Sequence, residues 1–199
     1  MQQLNEKTGL GVMGHIKIQD PESGEVFVNK RNAINYENMS VAIAYLLGNL
    51  TDGDGSTGNT SNVFQMAFGN GGVNVSSTGV VTYQATNTNS ATGQLFNETY
   101  SKSVTNTSST DAENNMVVQH VGGNNYSDLI ITCTLGYNEP SGQDALDNAA
   151  NLTGNYIFDE LGLKTPGGTF LTHVIFHPVQ KSANRKIQVI YTIRITAGS

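Results

Sequence analysis

The sequence predicts a mainly β protein, an antiparallel β-sandwich with one packed α-helix over about residues 36–48 and long polar loops. Three observations carry that expectation. Apolar residues alternate with polar ones in several short runs, most regularly in Ile187-Gln-Val-Ile-Tyr-Thr-Ile-Arg-Ile195. Only one stretch has helical spacing. The rest is rich in β-branched and turn-forming residues, with 21 Thr, 22 Gly, 23 Asn and 15 Ser among 199 residues.

The elements follow in chain order. Val12 to Val28 reads as a β-hairpin, with HIKIQ and EVFVNK alternating on either side of the turn residues DPESG. In the next segment Ile34, Met39, Ala42, Ile43, Leu46 and Leu47 recur at three- and four-residue spacing, which predicts the helix. Asn35 caps its start, Glu37 meets the positive end of its dipole, and Gly48-Asn49 supplies a left-handed stop. So short a helix needs its apolar stripe laid on a sheet or on another subunit.

Residues 51–62, TDGDGSTGNTSN, lack any large apolar side chain and predict a loop. A strand from Val63 to Phe68 then runs into Gly69-Asn70-Gly71-Gly72, a turn that favours glycine. Short extended pieces are expected at 79–83, 94–96 and 116–121, inside a loop-rich Asn/Thr/Gly excursion spanning 50–125. Leu129 to Leu135 and Phe170 to His177 read as strands, and Asp144 to Asn151 as a loop or helical turn. In the last strand the odd positions Ile187 to Ile195 share one face, with Ile190 the exception on the other. Pro178 and the polar residues Gln180 to Arg185 are expected to join the 170–177 and 187–195 strands as a hairpin. Residues 1–199 are read as one domain.

Charge narrows the function classes. Only 13% of residues are charged, about half the usual roughly 25%, and the net charge is −6. A basic nucleic-acid surface is therefore not expected. No apolar run is long enough for a membrane helix, and the polar start MQQLNEKTGL carries no signal-peptide core, which predicts an unprocessed N-terminus. The charge is also uneven. Residues 1–160 hold all 16 acids and five bases, a net of −11, whereas residues 161–199 hold five bases and no acid. Either sheet neighbours pair within the chain, or the basic end of one subunit meets an acidic face of the next.

Most apparent chemistry fails on spacing. Asp52-Gly-Asp-Gly-Ser56 places Thr57 and Val63 where a calcium-binding EF-hand needs Gly and Glu. Gly9-Leu-Gly-Val-Met-Gly14 matches a dinucleotide fingerprint but precedes a strand instead of a helix. His173 and His177 share one strand face about 13 Å apart at roughly 3.3 Å per residue, too far for one ion. Symmetry-related histidines of an oligomer remain an open route to a metal. Cys133, the single cysteine, reads as a buried thiol. Asp159 and Glu160 are adjacent carboxylates that a regular strand would point to opposite faces, which favours hydrogen bonding or docking over acid–base work. No nucleophile elbow and no Cys–His pairing is present, so neither an enzyme nor a cofactor is expected.

The C-terminal third carries a resemblance. Tyr156-Ile-Phe-Asp-Glu-Leu-Gly-Leu-Lys164, Gly167-Gly-Thr-Phe-Leu-Thr-His-Val-Ile-Phe176 and Lys181-Ser-Ala-Asn-Arg-Lys-Ile187 through Ile195 resemble structural virion proteins of tailed bacteriophages. In those, an acidic "EIGL/ELGL" phrase precedes a Gly-containing turn, a strand and a final "R-x-I-x-I-x-W-x-I" strand, within a tail-fibre, baseplate or neck-appendage attachment module. GHIKIQDPESGEVFVNKRNAINYENMSVAIAYLLGN is also similar to the opening of uncharacterised virion proteins from phages of aquatic bacteria. The resemblance covers about 40% of the chain; Tyr191 stands where the pattern often has Trp, and residues 50–125 resemble nothing in it.

The resemblance implies a β-sandwich in the virion that associates with itself and with other virion proteins, without catalysis. Lys181, Arg185, Lys186, Arg194, Asp159 and Glu160 are the candidate docking residues. Two other functions are weighed against a tail, neck or baseplate role. One is a capsid decoration or cement protein. The other is a glycan-binding receptor module or glycan-degrading tailspike, for which Tyr83, Tyr100 and Tyr126 offer stacking rings, while Trp and a catalytic carboxylate pair are missing.

Overall fold

A computed structural model describes residues 9–48, 62–143 and 156–198. It contains two five-stranded antiparallel sheets, a two-stranded ribbon and one helix among the described residues. In the first sheet, Leu10–Gln19 (β1) lies between Val26–Arg31 (β2) and Ile187–Ala197 (β12). Tyr126–Leu135 (β9) and Asn114–Gln119 (β8) complete it on the β12 side. In the second sheet the order is Ala33–Ile34 (β3), Thr172–Gln180 (β11), Ile157–Lys164 (β10), Gln65–Gly69 (β4) and Glu98–Ser103 (β7). Val73–Val75 (β5) and Val81–Tyr83 (β6) form the ribbon, and Tyr36–Gly48 is the helix, α1.

The alternation in the sequence translates directly into the core. Ile187, Val189, Tyr191 and Ile193 of β12 are buried, while Gln188, Ile190, Thr192 and Arg194 are half-buried on the opposite side. Ile16 and Ile18 of β1 and Ile131, Cys133 and Leu135 of β9 extend the same apolar layer. It packs on Met66, Phe68, Phe158, Leu161, Leu163, Val174 and Phe176 of the second sheet, and this shared core makes the fold a sandwich. Tyr191 is fully buried, and its hydroxyl accepts a hydrogen bond from Asn32 Nδ2.

The β1–β2 hairpin forms as its turn residues predict. Asp20 Oδ1 accepts from the backbone N–H groups of Glu22 (2.8 Å) and Ser23 (3.0 Å), and Gly24 takes a φ of 76°. Helix α1 begins at its expected cap: the Asn38 N–H donates to Asn35 Oδ1 at 3.2 Å. Met39 and Ala42 are buried, but Leu46 and Leu47 at the far end of the stripe are exposed.

Three expectations need correction. Residues 94–96 form no strand; their backbone is bent onto the outer face of the second sheet by bonds to Glu160. The 170–177 and 187–195 strands are not a hairpin, because β11 belongs to the second sheet and β12 to the first, so residues 181–186 carry the chain across the sandwich. The 50–125 excursion is also narrower than its composition suggests. β4 and β7 are built into the second sheet and β8 into the first, which leaves residues 70–97 as the segment lying over the sheet's outer face. The loop expected at 51–62, except for residue 62, the loop or helical turn expected at 144–151 and the stop expected at Asn49 lie outside the described residues.

A buried carboxylate–histidine clasp as candidate functional site

Strand β10 breaks its own alternation. Phe158 and Leu161, three residues apart, both enter the core, and the ladder to β11 is irregular between Phe158 and Glu160. Opposite that point β11 spends three residues, Phe176 to Pro178, on the single Asp159. The irregularity breaks the phase of both strands, since the core residues Phe176 and Val179 of β11 are also three apart, and it leaves Asp159 and Glu160 between Phe158 and Leu161 on the side away from the core. Asp159 and Glu160 therefore both reach the outer face, correcting the expectation that they point apart.

Residues 70–97 close over them. Glu160 Oε1 accepts from the N–H groups of Gly71 (3.0 Å) and Asn97 (2.8 Å). Its Oε2 accepts from Phe96 N–H (2.9 Å) and meets His173 Nε2 at 3.0 Å. Asp159 Oδ1 accepts from Gly72 N–H at 2.7 Å. His173, from β11, receives the Asn87 N–H on Nδ1 at 2.9 Å, so its ring proton sits on Nε2 and is donated to Glu160. The Phe96 ring covers the imidazole at 5.5 Å between centroids. Glycine is required here for closeness: a Cβ on Gly71 would stand 2.7 Å from Phe96 Cβ and 2.8 Å from the Asn97 nitrogen.

The two carboxylates are tuned in opposite directions. Burial pushes Asp159 up to about 6 against the Gly72 hydrogen bond, and the neighbouring charge of Glu160 adds to the rise. Burial also works against ionised Glu160, but the bonds from His173, Asn97, Phe96 and Gly71 outweigh it and hold that carboxyl below the usual range. Glu160 is an anion whose four contacts all come from groups that the fold places around it. With its oxygens occupied and its surface fully buried, the cluster has the chemistry of an anchor.

The structure separates the six candidate docking residues. Asp159, Glu160 and Lys181 are buried, and burial removes them from the exposed docking set of this fold. Lys181 Nζ donates to Gln143 Oε1 (2.9 Å) and the Ser182 carbonyl (2.8 Å). Arg185, Lys186 and Arg194 reach the surface. Arg185 lies 5.2 Å over the Phe27 ring. Lys186 faces Glu113 (3.5 Å) and Glu22 (3.8 Å). Arg194 forks onto Asp128 at 2.8 and 2.7 Å and stacks on Tyr126. Lys164 pairs with Glu98 at 2.5 Å. Among the described residues, ion pairs within the chain thus hold at least Lys164, Lys186 and Arg194 of the five bases at the C-terminal end.

Other sequence features find ordinary places. His177 is exposed and sits 3.3 Å from the Tyr83 hydroxyl, apart from the buried His173 cluster. No group of three or more His, Cys, Asp or Glu among the described residues is arranged to hold a metal. Cys133 is fully buried, and burial pushes its thiol up to about 12, which suppresses the nucleophilic thiolate. Sequence reasoning singled out Asp159 and Glu160 but missed the role of His173 and of Gly71 and Gly72. The available signal was two consecutive acids in an otherwise apolar strand, which only a bulge can accommodate on one face. No protein-family model, no curated protein and no solved structure matches this chain.

Proposed function

We propose that this chain is a non-enzymatic structural protein of a tailed-phage virion, a self-associating subunit that attaches other virion proteins in the tail, neck or baseplate. The observation that carries the non-catalytic part is the saturation of Glu160. The most chemically suggestive cluster among the described residues offers no free oxygen or open space to a substrate. The phage part rests on the resemblance of residues 156–195 and of the N-terminal hairpin and helix segment. Exposed Leu46, Leu47 and Val41 on α1 supply apolar surface of the kind that subunit contacts use.

Native mass spectrometry of the purified protein, with binding to isolated tails and capsids, tests the reading. A symmetric oligomer that binds tails is expected. A strict monomer that binds neither particle part overturns it, and binding to capsids alone assigns the decoration role instead. A cryo-electron microscopy map of the particle then gives the position.

A further inference from the structure

Residues 84–94 cover the outer face of the second sheet without an apolar anchor of their own. Within them only Gly93 is buried, so detaching the segment exposes little apolar area. Polar contacts hold it instead. Asn35 Nδ2 donates to the Ser90 carbonyl (2.7 Å), and Asn38 Nδ2 to that of Ala91 (3.1 Å). A further attachment is the bond from Asn87 N–H to the buried His173 Nδ1 at 2.9 Å.

That bond requires a lone pair on Nδ1. An imidazolium carries N–H on both nitrogens, so protonated His173 would set one N–H against another at Asn87 while still donating to Glu160. The second contact becomes stronger as the first becomes repulsive. The groups facing His173 are Glu160, with Asp159 beside it on β10, the Asn87 amide and Phe96 ring of the covering segment, and Ala33 of β3. Helix α1 meets the covering segment with the neutral amides of Asn35 and Asn38. Glu160 keeps the imidazolium in place, and the segment is the part that yields.

We propose that residues 84–94 are an acid-released strap whose catch is His173: protonation of Nδ1 expels Asn87 and opens the outer face of the second sheet, while Glu160 keeps residues 96–97 and Gly71 docked. This regulatory device is independent of where the chain sits in a particle. Asp159, raised to about 6, also takes up a proton on acidification, but its buried site holds that proton more tightly than the unfolded chain does, so its titration stabilises the closed fold and has the wrong sign for a trigger.

Amide hydrogen exchange of the full chain at pH 7.5 and 5.0, corrected for intrinsic rates, tests the proposal. On acidification, protection at Asn87 and across 84–94 should fall by about tenfold or more, the scale of one lost buried hydrogen bond. Phe96, Asn97 and Gly71 should stay protected. In His173→Gln, which keeps one acceptor and one donor, the loss should disappear, and in Asp159→Asn it should persist. Unchanged strap protection in the wild type overturns the proposal, as does an equal loss in His173→Gln or its abolition in Asp159→Asn. Should His173→Gln fail to fold, the wild-type His173 ring signals decide: strap opening must share the midpoint of Nδ1 protonation, and a separate midpoint overturns the assignment.

Discussion

The two sheets solve burial in different ways. β12, near the middle of the first sheet, is buried on one face and half-open on the other, so its side chains alternate between apolar and polar. β10, in the middle of the second sheet, is buried at seven of its eight positions, because residues 70–97 lie over its outer face. The first arrangement needs only a dry core. The second needs an outer layer, and a layer made from Asn, Thr, Ser and Gly has little apolar surface with which to adhere. Its attachment is therefore electrostatic: one buried anion, a neutral histidine and a row of backbone N–H groups. A small apolar group, Ala67, Leu95 and Phe170, supplements it on that side, together with Ile175 beneath Gly72 and the Phe96 ring over His173.

This contrast can be broken most severely at Glu160. Glu160→Ala leaves the N–H groups of Gly71, Phe96 and Asn97 without their acceptor and His173 without its partner. A loss of about 3–5 kcal/mol is expected by denaturant unfolding, the range for removing one partner of a buried charged pair.

A finer effect comes from Asp159. Its folded value, about 6, lies above the ordinary Asp range, so the folded state holds the proton more tightly than the unfolded chain. Its contribution is complete below the ordinary value and is lost as pH rises toward about 6. Glu160 has the opposite sign: its value is depressed, and its contribution is lost as pH falls through the folded value. Urea unfolding of Asp159→Asn should therefore show less loss of stability than wild type between pH 4.5 and 7. Equal slopes would contradict the burial of an ionisable Asp159.

The smallest effect belongs to the solvent side of the first sheet. Arg194→Ala removes the fork onto Asp128 and the stacking on Tyr126, yet exposed pairs contribute about 0–1 kcal/mol. Thermal melts at low and high salt should differ little between this variant and wild type.

The same difference explains what was legible in the sequence. A strand with one wet face writes its role as alternation, so β12 and the β1–β2 hairpin could be read directly, as could the Asn35 cap of α1. A strand covered on both faces loses that pattern, and in β10 the acids occupy buried positions where composition suggests a surface. The bulge that turns Asp159 and Glu160 together depends on the pairing with β11, a partner that no local pattern names. The crossing of residues 181–186 between sheets was hidden for the same reason, since two strands joined by a polar turn look like a hairpin whichever sheets they enter. In the excursion, Thr-rich composition correctly suggested extended chain but not which pieces join a sheet. β4 and β7 are distinguished by their ladder partners, whereas residues 94–96 are distinguished by the carboxylate beneath them.

Glu160 anchors the outer layer of the second sheet independently of the dry core. Residue-resolved amide exchange on Glu160→Gln at neutral pH tests it most directly. Faster exchange is expected at Gly71, Phe96 and Asn97, with the amides of β12 and β9 remaining as protected as in wild type relative to each protein's global stability. Unchanged protection at those three amides, or a uniform loss across both sheets with no local excess, would contradict it.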